Sequence, residues 1–311
     1  PRNCAVLAAS MRGAAKRMQA LLNTGGVVKL AAGASVGVAA VAGGDVTGAS
    51  MPYRAADVGR RQVLTDLINI ALLDSALGPV QISRLSRQDI PSVSSNCHNL
   101  VLSIEQQEGG LLPESVFVKV PMESLATRWF FCIINSWRLE SHFFRYVSPQ
   151  VVLRTPVTYA TDWRGGRFFL VQENINVVPD CTLFTNPDML VVPSLDQVRL
   201  CLDAFARLHA QHCYLSRSEQ DEILPFAYHL FLSSTMGTVA RVLNRLALKP
   251  CMKKHPGRIP ESVAQAYRQS MTHWDALLQC WFSGPLSLLH GDSHLGNFFV
   301  NGDEMGMLDW Q

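Results

Sequence analysis

The segment His290-Gly-Asp-Ser-His-Leu-Gly-Asn297 constrains this chain more than any other. It sets an aspartate, two histidines and an asparagine between two apolar runs, Leu286-Ser-Leu-Leu289 and Phe298-Phe-Val300. A polar loop between buried strands costs desolvation free energy that packing does not return, so function is its natural explanation. The residues that follow add geometry. Asn301-Gly302 is a turn signal, and Met305-Gly-Met-Leu308 reads as the returning strand. Pairing around Asn301 and Glu304 sets Val300 opposite Met305 and Phe298 opposite Met307. One step further, Asn297 faces Leu308, so Asp309 falls within about one residue of Asn297 on strands about 5 Å apart. An amide oxygen and a carboxylate held side by side are hard oxygen ligands, suited to Mg2+. Asp292 lies in the same loop, beside this pair rather than in it.

Upstream, residues 63–77 carry apolar residues at Leu64, Leu67, Ile68, Ala71 and Leu72, a helical period that Gly78-Pro79 ends. Asn99–Ile104 and Ser115–Val120 read as strands, with a loop between them at residues 108–113. A helix is expected over 123–146. Pro156–Ala160 and Arg167–Gln172 flank Gly165-Gly166, a hairpin signal. After Pro179 the pattern is helical: Leu195 to Leu208, then 219–248 and 261–281. The expected class is α+β: an antiparallel-sheet half with one embedded helix, then a mainly helical half ending in a small hairpin.

Lys119 interrupts the apolar strand Val116-Phe-Val-Lys-Val120, and a lysine there must find a counter-charge. Glu140 is the expected partner, on the helix face shared with Trp137, Ile133 and Phe144. Glu123 is the rival, placed in the first helical turn where the helix dipole suits an acid.

His290-Gly-Asp292-Ser-His294-Leu-Gly-Asn297 followed by Leu308-Asp309-Trp-Gln resembles the H-G-D-x-H-x-x-N … D-W signature of the aminoglycoside phosphotransferase/choline kinase-like family. These proteins share the two-lobed protein-kinase-like fold. The resemblance implies Asp292 as catalytic base, Asn297 and Asp309 as Mg2+ ligands, and His290 and His294 as loop-structuring residues. A kinase also needs a strand lysine on the ATP phosphates and a helix glutamate to orient it, which Lys119 and Glu140 supply. Val171-Gln-Glu-Asn-Ile175 resembles the linker between lobes, where backbone groups at Glu173 and Ile175 meet adenine. Phe205-Ala-Arg-Leu-His-Ala210 resembles the family's A-x-L-H-A helix, with His209 expected to be buried and structural. The nucleotide-covering loop should lie near Ser92–Asn99. It has no glycine, which leaves Ser94, Ser95 and backbone N–H groups for the phosphates. Gly291 stands where protein kinases carry an arginine, which points to a small-molecule kinase.

The resemblance runs from about residue 60 to residue 311. The expected organisation is a leader over 1–55, disordered or targeting-like, an N-lobe over 56–172 and a C-lobe over 173–311. The C-lobe is expected to be incomplete, because a hydrophobic strand runs into the last residues with no polar tail.

The expected activity is ATP- and Mg2+-dependent transfer of a phosphoryl group to a hydroxyl of a small molecule. Amino alcohols, aminoglycosides, sterol-type alcohols and hydroxyacyl thioesters are the acceptors that the resemblance allows. The alternative is a non-catalytic, pseudokinase-like nucleotide-binding module of a larger protein, motivated by the glycine-free loop. A metal hydrolase built on His290-x-Asp292-x-His294 leaves Lys119, Glu140 and the Asn297/Asp309 pair unexplained.

Charge and cysteine usage bound the partners. Twenty-seven basic and 25 acidic residues give a net charge of +2, which argues against a dedicated nucleic-acid binder. Six of the basic residues and one acid lie in the leader, so the remainder holds 21 basic against 24 acidic residues. The apolar run Leu30–Gly44 is shorter than the roughly 20 residues of a membrane span, so no stable membrane insertion is expected. Eight scattered cysteines without a C-x-x-C pair fit a reducing compartment and no structural zinc. The acid-poor, Ala/Arg-containing leader resembles a transit peptide, so a cytoplasmic or mitochondrial location is expected.

Overall fold

In the computed structural model the described residues are 51–52, 54–71, 82–90, 97–106, 112–184, 193–224 and 234–310. Most of the leader, Ser94, Ser95, the Gly78-Pro79 stop and most of the 108–113 loop lie outside them. Two compact units make up the chain. One runs to Ala204 and takes in His290–Gln311; the other is Phe205–Leu289.

The first unit is built on side-chain alternation. Strands β1 (Ile82–Ile90), β2 (Cys97–Gln106), β3 (Ser115–Pro121), β4 (Thr158–Arg164) and β5 (Arg167–Glu173) form an antiparallel sheet in the order β1-β2-β3-β5-β4. Helix α1 (Ala55–Val58) and helix α2 (Arg61–Ala71) precede it. Leu64, Leu67 and Ile68, three and four residues apart on α2, join a core with Leu100, Leu102, Val116, Val118, Val120 and Val171. These strand residues are every second one, so they share a face of the sheet. Each such side chain is worth about 1.5–3 kcal/mol when fully buried, and this layer holds α2 in place. Met51 and Ala55, which a leader boundary at 55 leaves outside, are also buried in this core. Their burial is decided by α2 and the sheet, which a scan of the leader's own composition does not register.

The other sheet face is apolar too, which is why the strands read as continuous hydrophobic runs. Phe168 and Leu170 are buried there, and Phe168 stacks on Trp137 with centroids 6.3 Å apart. Phe117 and Lys119 share the alternate positions of β3. β1 has no counterpart in the sequence reading, because it is an edge strand whose residues are mostly exposed and polar. Cys97, His98 and Asn99, expected in the nucleotide loop, instead begin β2 and pair with Pro121, Val120 and Lys119. The β4–β5 turn is the expected one, with Arg164 opposite Arg167 and Gly165 at φ 56.

The single helix expected over 123–146 is two. Helix α3 (Leu125–Ile133) starts at Ser124, whose hydroxyl accepts from the Thr127 N–H at 3.3 Å. Glu123 precedes that cap and is exposed, so it is not in the first turn. Asn135 then adopts φ 57, a left-handed conformation that asparagine tolerates better than most residues. Helix α4 (Ser136–His142) restarts after it and runs into a π-turn over Phe143–Val147. Arg128 on α3 is fully buried. Its guanidinium donates to the carbonyls of Met122 at 2.8 Å, Gly166 at 2.8 Å and Pro121 at 3.1 Å, which fastens α3 to the end of β3 and the β4–β5 turn.

A second sheet of three strands, in the order β6-β7-β8, carries the hairpin. Strands β7 (Phe298–Asn301) and β8 (Glu304–Met307) pair in the expected register, Phe298 with Met307 and Val300 with Met305. The added strand β6 (Cys181–Leu183) is too short to stand out from sequence.

The helices that follow are α5 (Leu195–His212), which leads into the second unit, α6 (Arg217–Ile223), α7 (Ser234–Lys254), α8 (Glu261–Thr272) and α9 (Trp274–Trp281). Ser216 and Glu219 form a capping box at the start of α6. The helix expected over 261–281 is interrupted at His273. His209 is half-buried rather than buried; the buried histidine of this helix is His212, whose Nδ1 meets the Leu208 carbonyl at 2.9 Å. Among the described residues no helix is long and apolar enough to cross a membrane.

Candidate active site

The lysine on β3 meets two carboxylates. Lys119 Nζ donates to Glu140 Oε1 at 2.7 Å and Oε2 at 3.0 Å, and it also donates to Asp309 Oδ1. Lys119 and Glu140 are 5% and 1% exposed, so each charge is out of water and depends on the other. The restart of the helix at Asn135 brings Glu140 into this position.

Burial by itself disfavours the Lys119 ammonium, but Asp309 and Glu140 outweigh it and hold its pKa above the ordinary lysine value. Burial pushes the Glu140 carboxyl up to about 8, with Lys119 opposing and Asp309 adding to the rise. Glu140 is the better place for an added proton, because the Asp309 side chain keeps 29% of its surface in solvent.

The polar loop is tied to the hairpin by its own groups. The Leu308 N–H donates to the Asn297 carbonyl at 2.8 Å, one pair beyond β7–β8. Asn297 Nδ2 donates to the Asp292 carbonyl at 2.8 Å, so the amide oxygen is turned away from that carbonyl. His290 bridges the two strands of chain. Its Nε2 faces the Leu308 carbonyl at 2.6 Å, and its Nδ1 accepts from the Asp292 N–H at 3.3 Å. That pattern assigns the neutral Nε2–H tautomer, and burial lowers the His290 pKa in the same sense. Asp309 takes φ 57, which carries its carboxylate toward Lys119. Trp310 locks this turn: its ring stacks on Phe143 at 4.0 Å and 10°, and its indole N–H donates to the Met307 carbonyl at 3.4 Å. Gly306 permits the tight hairpin, since a Cβ there would lie 2.2 Å from the Phe299 ring.

Asp292 differs from its neighbours. Its side chain is 59% exposed, and His294 Nε2 lies 3.7 Å from its Oδ2. An exposed carboxylate on a braced loop is open to an incoming group.

Residues 138–311, more than half of the chain, match the model of the phosphotransferase enzyme family (APH). The chain belongs to this family. None of the curated proteins matches it. The aminoglycoside phosphotransferase/choline kinase-like resemblance therefore stands, and with it the protein-kinase-like α+β fold and a phosphotransferase activity. The match takes in Glu140, Asp292, Asn297 and Asp309. Lys119 precedes it and is tied to two of these residues by its bonds to Glu140 and Asp309.

The structure brings Lys119, Glu140 and Asp309 into one cluster and holds Asn297 in register beside the Asp309 turn. Glu173 ends β5, and Ile175 opens a 3-10 turn whose carbonyl accepts from Val178 N–H at 3.2 Å. The Glu173 N–H donates to the Val157 carbonyl at 2.8 Å, so its backbone donor is committed. Sequence reasoning did not single out Arg154, whose guanidinium meets the Glu173 carboxylate at 2.5 Å, or the Phe143–Trp310 stack. Trp310 stood in the quoted signature, but no local pattern points to its partner.

Proposed function

We propose that this phosphotransferase moves the terminal phosphoryl group of ATP to a hydroxyl of a small molecule, with Mg2+ as its metal. The observation that carries this reading is the convergence of Lys119, Glu140 and Asp309, from three separate segments, next to a loop that presents Asp292. The donor chemistry fits Mg2+. Asn297 and Asp309 offer oxygen, and Mg2+ is commonly held by one or two protein ligands together with phosphates and water. Both His290 nitrogens are engaged by backbone groups, the Leu308 carbonyl and the Asp292 N–H, so His290 is not offered as a metal ligand for a hydrolase.

In this reading Asn297 and Asp309 hold the metal, which when bound neutralises phosphate charge. Lys119, kept cationic by its partners, steadies the phosphates. Asp292 takes the proton of the acceptor hydroxyl as its oxygen bonds to the terminal phosphorus. The bond from that phosphorus to the bridging oxygen breaks, and ADP leaves. Positioning and charge stabilisation dominate such transfers. The Glu173 carbonyl and the backbone at Ile175 are the groups offered to adenine, and Ser94 and Ser95 are those offered to phosphate.

The test is ADP release from Mg·ATP by the purified protein against amino alcohols, aminoglycosides, sterol-type alcohols and hydroxyacyl thioesters. Acceptor-dependent ADP release is the expected result. Tight ATP binding with no transfer to any class would overturn the reading.

A further inference from the structure

The segment between the π-turn and β4 joins two parts of the site. Its chain passes beside β8, where Arg154 bridges Gly306 and the Arg154 carbonyl accepts from the Met307 N–H at 3.0 Å. Three residues later it reaches the end of β5. There the Val157 N–H donates to Glu173 Oε2 at 3.1 Å, and the Glu173 N–H returns a bond to the Val157 carbonyl at 2.8 Å. The strap therefore touches the hairpin two residues before Asp309 and touches the linker at Glu173.

The Arg154 side chain closes this bridge. Its guanidinium holds Glu173 Oε2 at 2.5 Å and also donates to the Thr155 carbonyl. The two side chains are only 25% and 17% exposed, so each charge is largely withdrawn from water. The backbone between them has little slack. Pro156 restricts Thr155 to extended conformations, and the Thr155 hydroxyl is tied to Ser148 Oγ at 2.6 Å. Arg154 thus has its main chain on the metal-side hairpin and its side chain on the linker.

We propose that Arg154 is a positioning residue that sets the adenine-side linker relative to the hairpin bearing Asp309. The proposal rests on the ATP reading above. A guanidinium suits the task because its planar fork donates from one nitrogen to the carboxylate and from another to the carbonyl in a fixed geometry, whereas an ammonium is a point charge on a flexible stem. A tether that only adds stability would move the unfolding midpoint and leave ligand affinity alone, so affinity is the decisive quantity.

The experiment is calorimetric titration of ATP into wild type, Arg154→Met, Arg154→Lys, Glu173→Gln and the Arg154→Met/Glu173→Gln double variant. It is run well below each unfolding midpoint and without metal. Arg154→Met is expected to raise the ATP Kd about tenfold, within the span of coupling between contacting residues. Glu173→Gln should do the same, and the double variant should lose no more than either single one. Arg154→Lys, which keeps the charge and is the milder change, should still bind more weakly than wild type. Wild-type affinity in Arg154→Lys or Arg154→Met, or additive losses in the double variant, overturns the proposal. Wild-type protein that binds no ATP is a separate outcome, seen in the control, and removes the functional reading together with the proposal.

Discussion

The N–H of Leu308 donates to the carbonyl of Asn297 at 2.8 Å, so the hairpin register extends one pair past its last strand residues. This bond sets Asp309 beside Asn297, while Asn297 holds the Asp292 carbonyl from the other side. Asp292, Asn297 and Asp309 are thus placed by one short piece of chain.

Asp292→Asn should lower phosphoryl transfer by about 10²–10⁴-fold, the usual worth of a general base. The loop should stay in place, because its bonds to His290 and Asn297 use the Asp292 backbone. Turnover and ATP affinity measured on the same preparation check this. Undiminished turnover would remove Asp292 from the role.

Lys119→Met leaves Glu140 buried without its cation. Breaking a buried pair by removing one partner costs about 3–5 kcal/mol. Adding Glu140→Leu should recover part of that loss, because the second charge is removed as well. Urea unfolding of the single and double variants gives the comparison. Equal or greater destabilisation in the double variant contradicts the pairing.

Gly306→Ala forces a methyl into the Phe299 ring, where the nearest carbon is 2.2 Å from the Cβ position. Overpacking of this kind costs about 1–3 kcal/mol. Adding Phe299→Leu should make the double variant less destabilised than the sum of the two singles. Thermal unfolding of all three reads this directly.

His290 predicts a pH dependence. Its folded pKa is lowered by burial from 6.5, so below about that pH the unfolded chain binds a proton that the folded chain refuses. Stability contributed by neutral His290 is therefore present above pH 6.5 and lost as pH falls toward the folded value. Urea unfolding of wild type and His290→Gln from pH 8 to pH 5 isolates the His290 contribution. The difference between the proteins should shrink as pH falls, and a constant difference would contradict the neutral, buried state of His290.

Local residue pattern is enough for the β7–β8 register, the Asn297–Asp309 neighbourhood and the need of Lys119 for a partner. A two-residue turn and a side-chain period of two leave few alternative pairings, and a charge inside an apolar strand demands its opposite. Glu140 was legible for the same reason. The rest depends on long-range packing. The helix break at Asn135, the left-handed turn at Asp309, the buried Arg128 and the Arg154–Glu173 pair all depend on groups from separate elements. Lys119 and Asp309 are 190 residues apart in the chain, and the contact between them exists only once both sheets are assembled. Local sequence sets which residues share a face; which faces meet is decided by burial of the whole unit.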